Sequence, residues 1–393
     1  MHVSNTVSAL VELSLLIWLY LLLGRNGFWR ARPQLEHERP PAPRVWPAVI
    51  AVVPARNEAE TVETALRSLL GQDYPGRFTI ILVDDHSQDG TRLIAERLAV
   101  GAAGRLEVLA APPLPRGWSG KLWAVANGVR HAEEAAPRTP YLLLTDADIA
   151  HAPDNLARLM AMAQAERLDL VSVMVRLRCT NFWERLLIPP FVFFFQKLYP
   201  FPAVNDPGSP VAAAAGGCIL VRRRALRAAG GIEAIHGELI DDVALARLIA
   251  GRPGGGRIWL GLGEATRSLR RCTRLADVWN TVARTADTQL KHSPLLLICT
   301  LVGMLIAYLA PPLALLVGLL ADDSWLLGLG LLATAAMAVA YLPTLRFYGL
   351  GGGRFLTLPL AAILFTAMTI DSAIRHRRGA GGVWKGRVLK PEA

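Results

Sequence analysis

The chain has 393 residues, enough for two or three domains, and it is 52% hydrophobic with only 19% charged residues, more apolar than an ordinary soluble enzyme. Lys and Arg exceed Asp and Glu by 42 − 32 = 10. Beside apolar spans this excess marks cytoplasmic flanks and an anionic membrane surface, and no aromatic-rich basic stripe points to nucleic acid. The four cysteines, Cys179, Cys218, Cys272 and Cys299, form no Cys-x-x-Cys pair, which argues against a zinc site or a disulfide framework and for a reducing compartment.

Val7 to Leu23 is nearly continuous apolar sequence, and Arg25, Arg30, Arg32, Arg39 and Arg44 follow it. Charge after the apolar run rather than before it predicts an uncleaved anchor, residues 1–24, with its C-terminal side in the cytoplasm. Residues 25–47, rich in Pro and Arg, read as a stiff linker. Next come a buried strand at 48–53, a helical pattern at 60–70, a strand at 78–83, a helix at 91–98 and a short strand at 106–110. A helical stretch at 127–134 leads into Tyr141-Leu-Leu-Leu-Thr-Asp-Ala-Asp148, an apolar strand ending in two carboxylates, and a further strand covers 170–175. This alternation predicts an α/β fold, a mostly parallel sheet with flanking helices. Three polar clusters, 54–58, 84–90 and 146–148, follow strands and so share one sheet edge, where open α/β sheets bind ligands. Asp146 and Asp148 offer hard oxygen ligands to Mg²⁺ or Mn²⁺, which can bridge to a diphosphate.

In the segment 186–204, residues 186–195 carry four Phe and a Pro pair. They read either as a core segment or as an interfacial helix where a lipid enters. Gly216-Gly217 permits a close approach of ligand or another segment, and Arg222-Arg-Arg224 reads as a solvated turn or as a basic cluster facing membrane or diphosphate. Asp241 and Asp242 open a helix, where the dipole alone could explain them. Residues 294–376 contain apolar stretches at 295–320, 325–342 and 355–373, with basic residues at 346 and 354 and in the tail, 377–393. Three crossings would place the tail opposite Arg346, against the positive-inside pattern; either 295–320 is a hairpin broken at Pro311-Pro312 or the tail breaks the rule.

In order, Val53-Pro-Ala-Arg-Asn-Glu-Ala59, Val83-Asp-Asp-His-Ser-Gln-Asp-Gly-Thr91, Gly120-Lys121 with Asn127-Gly128, Thr145-Asp-Ala-Asp148 and Asp241-Asp242 resemble the membrane-anchored inverting glycosyltransferases of family 2. Gly117-Trp-Ser-Gly-Lys-Leu-Trp-Ala124, Gly237-Glu-Leu-Ile-Asp-Asp-Val-Ala-Leu-Ala246 and Trp279-Asn-Thr-Val-Ala-Arg-Thr285 look like the hopene-associated subgroup. The resemblance implies a GT-A fold over 48–293 with transmembrane helices at both ends. It implies that Pro54, Ala55, Arg56, Asn57 and Glu58, with Asp84 or Asp85, hold the base and ribose of a nucleotide sugar, expected to be UDP-linked. Lys121 would lie near the donor, Asp146 would touch ribose or metal, Asp148 would bind a divalent metal (Mg or Mn), and Asp242 would be the general base with Asp241 beside it. Polymer-making relatives carry Gln-x-x-Arg-Trp before their membrane segments. Here Thr281 and Thr285 stand at the Gln and Trp positions, and Arg284 alone persists as a candidate diphosphate contact.

The expected activity is metal-dependent, inverting transfer of a single sugar to a membrane lipid, with a hopanoid as one acceptor. The alternatives are a ceramide-type or polyprenyl-phosphate sugar transferase, and an inactive nucleotide-sugar-binding scaffold. The expected location is the bacterial inner membrane, with the catalytic domain in the cytoplasm.

Overall fold

A computed structural model describes residues 2–252, 254–378, 383–385 and 387–388. The elements run α1 (His2–Leu23), β1 (Val49–Ala55), α2 (Val62–Leu70), β2 (Phe78–Asp84), α3 (Thr91–Gly101), β3 (Leu106–Ala110), α4 (Gly120–Ala135), β4 (Tyr141–Thr145), β5 (Ile149–Ala150), α5 (Asn155–Ala165) and β6 (Leu170–Arg176). They continue with α6 (Phe182–Leu198), α7 (Phe201–Val204), β7 (Cys218–Arg222), α8 (Arg223–Ala228), α9 (Asp241–Ala250), β8 (Ile258–Ser268), α10 (Leu275–Ala283) and α11 (Ala286–Gln289). The last are α12 (Pro294–Leu320), α13 (Ser324–Phe347), α14 (Leu358–Arg377), β9 (Val383–Trp384) and β10 (Arg387–Val388). The chain divides into two compact units: a helical unit (Met1–Arg32, Cys179–Pro202, Cys272–Gly381) and a sheet unit (Pro33–Arg178, Ala203–Arg271, Gly382–Ala393). The expected domain at 48–293 is therefore interrupted, because 179–202 and 272–293 group with the helices.

In the sheet unit the strand order is β3-β2-β1-β4-β7-β6-β8-β5. The central strands β1 and β4 are buried along their whole length, as continuous apolar runs covered on both faces must be. The sheet is mixed rather than uniformly parallel: β7 runs against β4 and β6, and β5 against β8. The edge carrying the polar clusters nevertheless forms as expected, because β1, β2 and β4 are parallel neighbours. Helix α4 starts seven residues earlier than the pattern at 127 suggested, at Gly120, where Ser119 caps it by accepting the Leu122 N–H. Gly128 lets this helix lie close on the sheet, since a Cβ there would collide with Val52. The strand β8 was not visible as a pattern of alternating residues.

In the helical unit α12 is one continuous helix of 27 residues, so the hairpin reading of 295–320 is corrected. Pro311 has no N–H for the carbonyl of Ala307. That carbonyl is satisfied from outside the helix, by Trp18 Nε1–H at 2.7 Å and the Ser14 hydroxyl at 3.3 Å on α1. Among the described residues, four helical segments are long and apolar enough to cross a membrane: Thr6–Leu23, Pro294–Leu320, Ser324–Phe347 and Gly352–Arg377. They pack in layers. Val7 and Val11 meet Ala314, Leu326, Leu329 and Ala333. Further along α1, Trp18 and Leu21 meet Tyr308, Tyr341, Leu345, Leu358 and Ala362. A third cluster joins Phe365 and Met368 to Leu186, Leu187, Val278 and Val282. Helix α6 buries Leu186 to Pro190, which supports the core reading of that segment. It is anchored by buried Glu184, whose carboxylate accepts the N–H groups of Thr180, Asn181 and Cys272.

Candidate active site

The loops after β1 and β2 are sewn together by short side chains. Asn57 N–H donates to Ser87 Oγ (3.0 Å), Gln88 N–H to Asn57 Oδ1 (2.9 Å), Glu58 N–H to Thr91 Oγ1 (2.7 Å) and Ala59 N–H to Asp89 Oδ2 (2.9 Å). Arg56 donates to the Asp85 carbonyl and lies 3.7 Å from its carboxylate. Asp85 is fully buried and Asp84 nearly so. Asp84 closes its own turn by accepting the Ser87 N–H at 3.3 Å.

The third loop, after β4, faces these. Lys121 reaches from the first turn of α4 to Asp146 Oδ1 (2.9 Å) and Asp241 Oδ2 (3.0 Å). Burial by itself would lower the lysine pKa, but the charges of Asp146, Asp241 and Asp242 raise it, so Lys121 is a permanent cation between three carboxylates. Asp242, at the start of α9, accepts the N–H of Gly216 (2.8 Å) at one oxygen and its neighbour Val243 N–H (2.8 Å) at the other. Burial first, then the charge of Asp241, pushes its pKa up to about 6. Burial and the charges of Asp146 and Glu58 push Asp148 up to about 7. Lys121, Asp146, Asp241 and Asp242 line a small cleft with Pro54, Thr145 and Gly216, its remaining walls being the apolar side chains of α4, α9 and neighbouring segments, among them Leu122, Val125, Ile219 and Leu245.

The sheet thus brings together Pro54 to Glu58, Asp84, Asp85, Lys121, Asp146, Asp148, Asp241 and Asp242 within one unit. Arg284 lies in the other, as the C-cap of α10. The close approach expected at Gly216 is to other segments: a Cβ there would stand 3.2 Å from Lys121 Nζ and 3.4 Å from Asp242 Oδ2. The basic triplet 222–224 turns out to be structural in two of its members. Arg222 lies 3.7 Å from Asp169, and buried Arg223 donates to the carbonyls of Ala136 and Pro137. Two separate motifs also meet: the Ser119 N–H donates to His236 O at 3.0 Å, and the Trp118 ring sits 5.4 Å from that of His236. The residues around Lys121 and those leading to Asp241 are therefore held against each other.

Sequence reasoning missed a relay behind this edge. Asn155 Nδ2–H donates to His151 Nδ1 (3.0 Å), His151 Nε2 donates to Thr145 Oγ1 (2.9 Å), and Thr145 donates to Gly217 O (2.7 Å). Burial holds the His151 pKa down at about 4, so the ring is neutral and fully used. The relay joins the carboxylate-bearing strand end to the Gly216-Gly217 backbone that holds Asp242. No residue pattern flags it. Sequence reasoning also missed Lys385, whose ammonium lies 2.8 Å from Glu58 Oε1 and donates to the Asn57 carbonyl at 3.2 Å.

Residues 50–230 match the family described as Glycosyl transferase family 2. Among curated proteins, an N-acetylglucosaminyltransferase of Mesorhizobium japonicum is 30% identical over 129 residues, 32% of this chain and 28% of that protein. Glycosyltransferase AglE of Haloferax volcanii is 38% identical over 64 residues, 16% of this chain and 21% of that protein. The chain therefore spans well under a third of the length of these relatives. Among solved structures, a mannosyltransferase of Pyrobaculum calidifontis, PcManGT, in complex with GDP-Man and Mn²⁺, superposes with a TM-score of 0.54 at 21% identity, over 96% of this chain and 98% of that one. That likeness establishes a GT-A-like fold. The family 2 match ends before Asp241 and Asp242, whose place in the site rests on the contacts above.

The donor set suits a divalent ion. Among the described residues no group of three or more His, Cys, Asp or Glu side chains is placed to hold a metal alone. Asp146 and Asp148 give the two carboxylates that Mg²⁺ or Mn²⁺ uses when phosphates and water complete its shell. The raised pKa of Asp148 comes from burial first and then from the charges of Asp146 and Glu58, and a cation there offsets both.

Proposed function

We propose that this chain is an inverting glycosyltransferase that moves a single sugar from a nucleoside diphosphate donor to a membrane lipid, with a hopanoid as the first acceptor to test. The observation that carries the reading is Asp242. It is a carboxylate with both oxygens oriented by backbone N–H groups, its pKa lifted toward neutrality, facing a cleft shared with Lys121, Asp146 and Asp241.

Asp242 takes the proton of the acceptor hydroxyl as that oxygen bonds to the anomeric carbon, and the bond from carbon to diphosphate breaks on the opposite face, inverting the centre. Pro54 to Glu58 with Asp84 and Asp85 frame the base and ribose. Lys121 holds Asp241 and Asp146 in place and keeps positive charge beside the departing diphosphate. Asp146 and Asp148 would hold the divalent ion, which when bound supplies charge neutralisation to the leaving group. Thr281 and Thr285, where polymerising relatives have Gln and Trp, support one transfer rather than chain growth, and Arg284 is kept as a candidate diphosphate contact.

A lipid acceptor is supported by the apolar helices, and the reading places the sheet unit on the cytoplasmic side of the bacterial inner membrane. The layers favour two crossings after the sheet unit, α12 and α13. Among the described residues α14 contributes to the clusters around Tyr308 and Leu187 but not to the one around Val7. Its end joins α10 and α11, through Asp371 to Trp279 (2.6 Å) and Ser372 to the Asp287 N–H (2.9 Å). On this reading α14 does not cross, and Arg346, Arg354 and the basic end of α14 share one side, as the positive-inside pattern asks.

The test uses membranes containing the protein, Mn²⁺ or Mg²⁺, and a panel of labelled UDP- and GDP-sugars, beside Asp242→Asn. Label in the lipid extract that requires both metal and Asp242, with mass analysis of the product, establishes the transfer. Nucleotide binding without lipid label from any donor sinks the lipid acceptor.

A further inference from the structure

Lys385 comes from the far end of the chain to the loop that frames the donor's base and ribose. Its ammonium contacts Glu58 Oε1 at 2.8 Å and Asn57 O at 3.2 Å, while its own carbonyl accepts from Arg56 Nε at 3.1 Å. It sits between β9 and β10, which pair in antiparallel register. All of these residues belong to the sheet unit.

We propose that Lys385 is a donor-binding residue: it completes the pocket from the C-terminal end and places its ammonium on the ribose-diphosphate portion of a nucleoside diphosphate sugar. The assignment rests on the donor reading above and deepens it. The charge inventory argues for it. Five carboxylates, Glu58, Asp84, Asp85, Asp146 and Asp148, gather where a diphosphate is to bind; Lys121 is committed to Asp146 and Asp241 and Arg56 to Asp85, while Arg270 acts on Asp148 from the exposed end of the sheet unit. Among the described residues Lys385 has one carboxylate partner, with 31% of its side chain exposed. An ammonium carries three donors, and two are used there. The third can meet a hydroxyl or phosphate oxygen without breaking the pair to Glu58.

The experiment compares Lys385→Met and Lys385→Arg with the parent in the full-length, detergent-solubilised protein. Lys385 has φ of 45°, so Met and Arg share whatever backbone cost Lys bears, and neither variant disturbs a buried side chain. The probe is UDP or GDP with Mn²⁺, titrated calorimetrically, with no acceptor needed. Lys385→Met weakens nucleotide binding about tenfold, the scale of one charge-assisted hydrogen bond, and Lys385→Arg restores most of it. Donor KM rises in parallel while kcat changes less than threefold. Unchanged binding in Lys385→Met overturns the assignment, and tighter binding overturns it in favour of a lysine that blocks the site. If the parent binds neither nucleotide, the donor reading fails and this assignment with it; if the parent binds and Lys385→Met binds equally, only the assignment fails.

Discussion

Asp242 shows how one side chain acquires a role from its surroundings. As a residue in the first turn of a helix it needs no function, since a carboxylate there suits the dipole. Its burial and its neighbour Asp241 lift its pKa to about 6, while the N–H groups of Gly216 and Val243 fix its orientation. A base must be ionised, so activity is expected to be lost as pH falls through about 6 and to level off above it, with the acid limb of kcat/KM reporting this group. Asp242→Asn should lower kcat by about 10²–10⁴-fold, the usual contribution of a general base, and abolish that limb in the residual activity, while nucleotide affinity stays within threefold. A limb that persists unchanged in the variant would assign the titration elsewhere. In the proposed mechanism Asp241, paired with Lys121, is the positioning member.

Between elements, the α1–α12 contact explains why a Pro pair does not break an apolar helix. The carbonyl that Pro311 leaves unpaired is met by Trp18 and Ser14, as it must be where no water reaches. Trp18→Phe should destabilise the protein by about 1 kcal/mol, the scale of such bonds in helical membrane proteins. In Pro311→Ala the restored N–H can take the carbonyl, so Trp18→Phe should cost much less there. A double-mutant cycle measures this; additivity would show that the tryptophan matters only through packing. The His151–Thr145–Gly217 relay is the comparable device in the sheet unit, tying a strand end to the backbone that orients Asp242.

For the whole molecule, the order of units along the chain constrains topology. The chain leaves the sheet unit at Arg271 and belongs to it again from Gly382, which under the membrane reading requires an even number of crossings between them. Cysteines introduced by Asp322→Cys and, after α14, by Arg378→Cys, in a background with half-buried Cys179 and exposed Cys299 removed, test this with an impermeant thiol reagent. Asp322→Cys is expected to label in intact cells, and Arg378→Cys only after permeabilisation. Labelling of both from outside would overturn the two-crossing arrangement.

Much of this was legible in the sequence. Apolar runs of strand length alternating with helical patterns announce strands buried on both faces of an α/β sheet, so β1, β2 and β4 and the polar loops following them could be placed on one edge from Val49, Phe78 and Tyr141 onward. The two carboxylates after β4 and the pair opening α9 were visible as chemistry, and their ordered company carried the family resemblance. The reversal of β7, the fate of Arg223 and the role of Gly216 were not legible, because each depends on which distant segment lies opposite. The same holds for Lys385, 327 positions beyond the Glu58 it pairs with, and for the Trp18 that satisfies Ala307. Local pattern determined which segments would be strands, helices and apolar spans, since period and polarity are properties of neighbouring residues. Only the tertiary structure decided which cations and N–H groups meet the carboxylates, because pairing across hundreds of residues leaves no periodic trace in the chain.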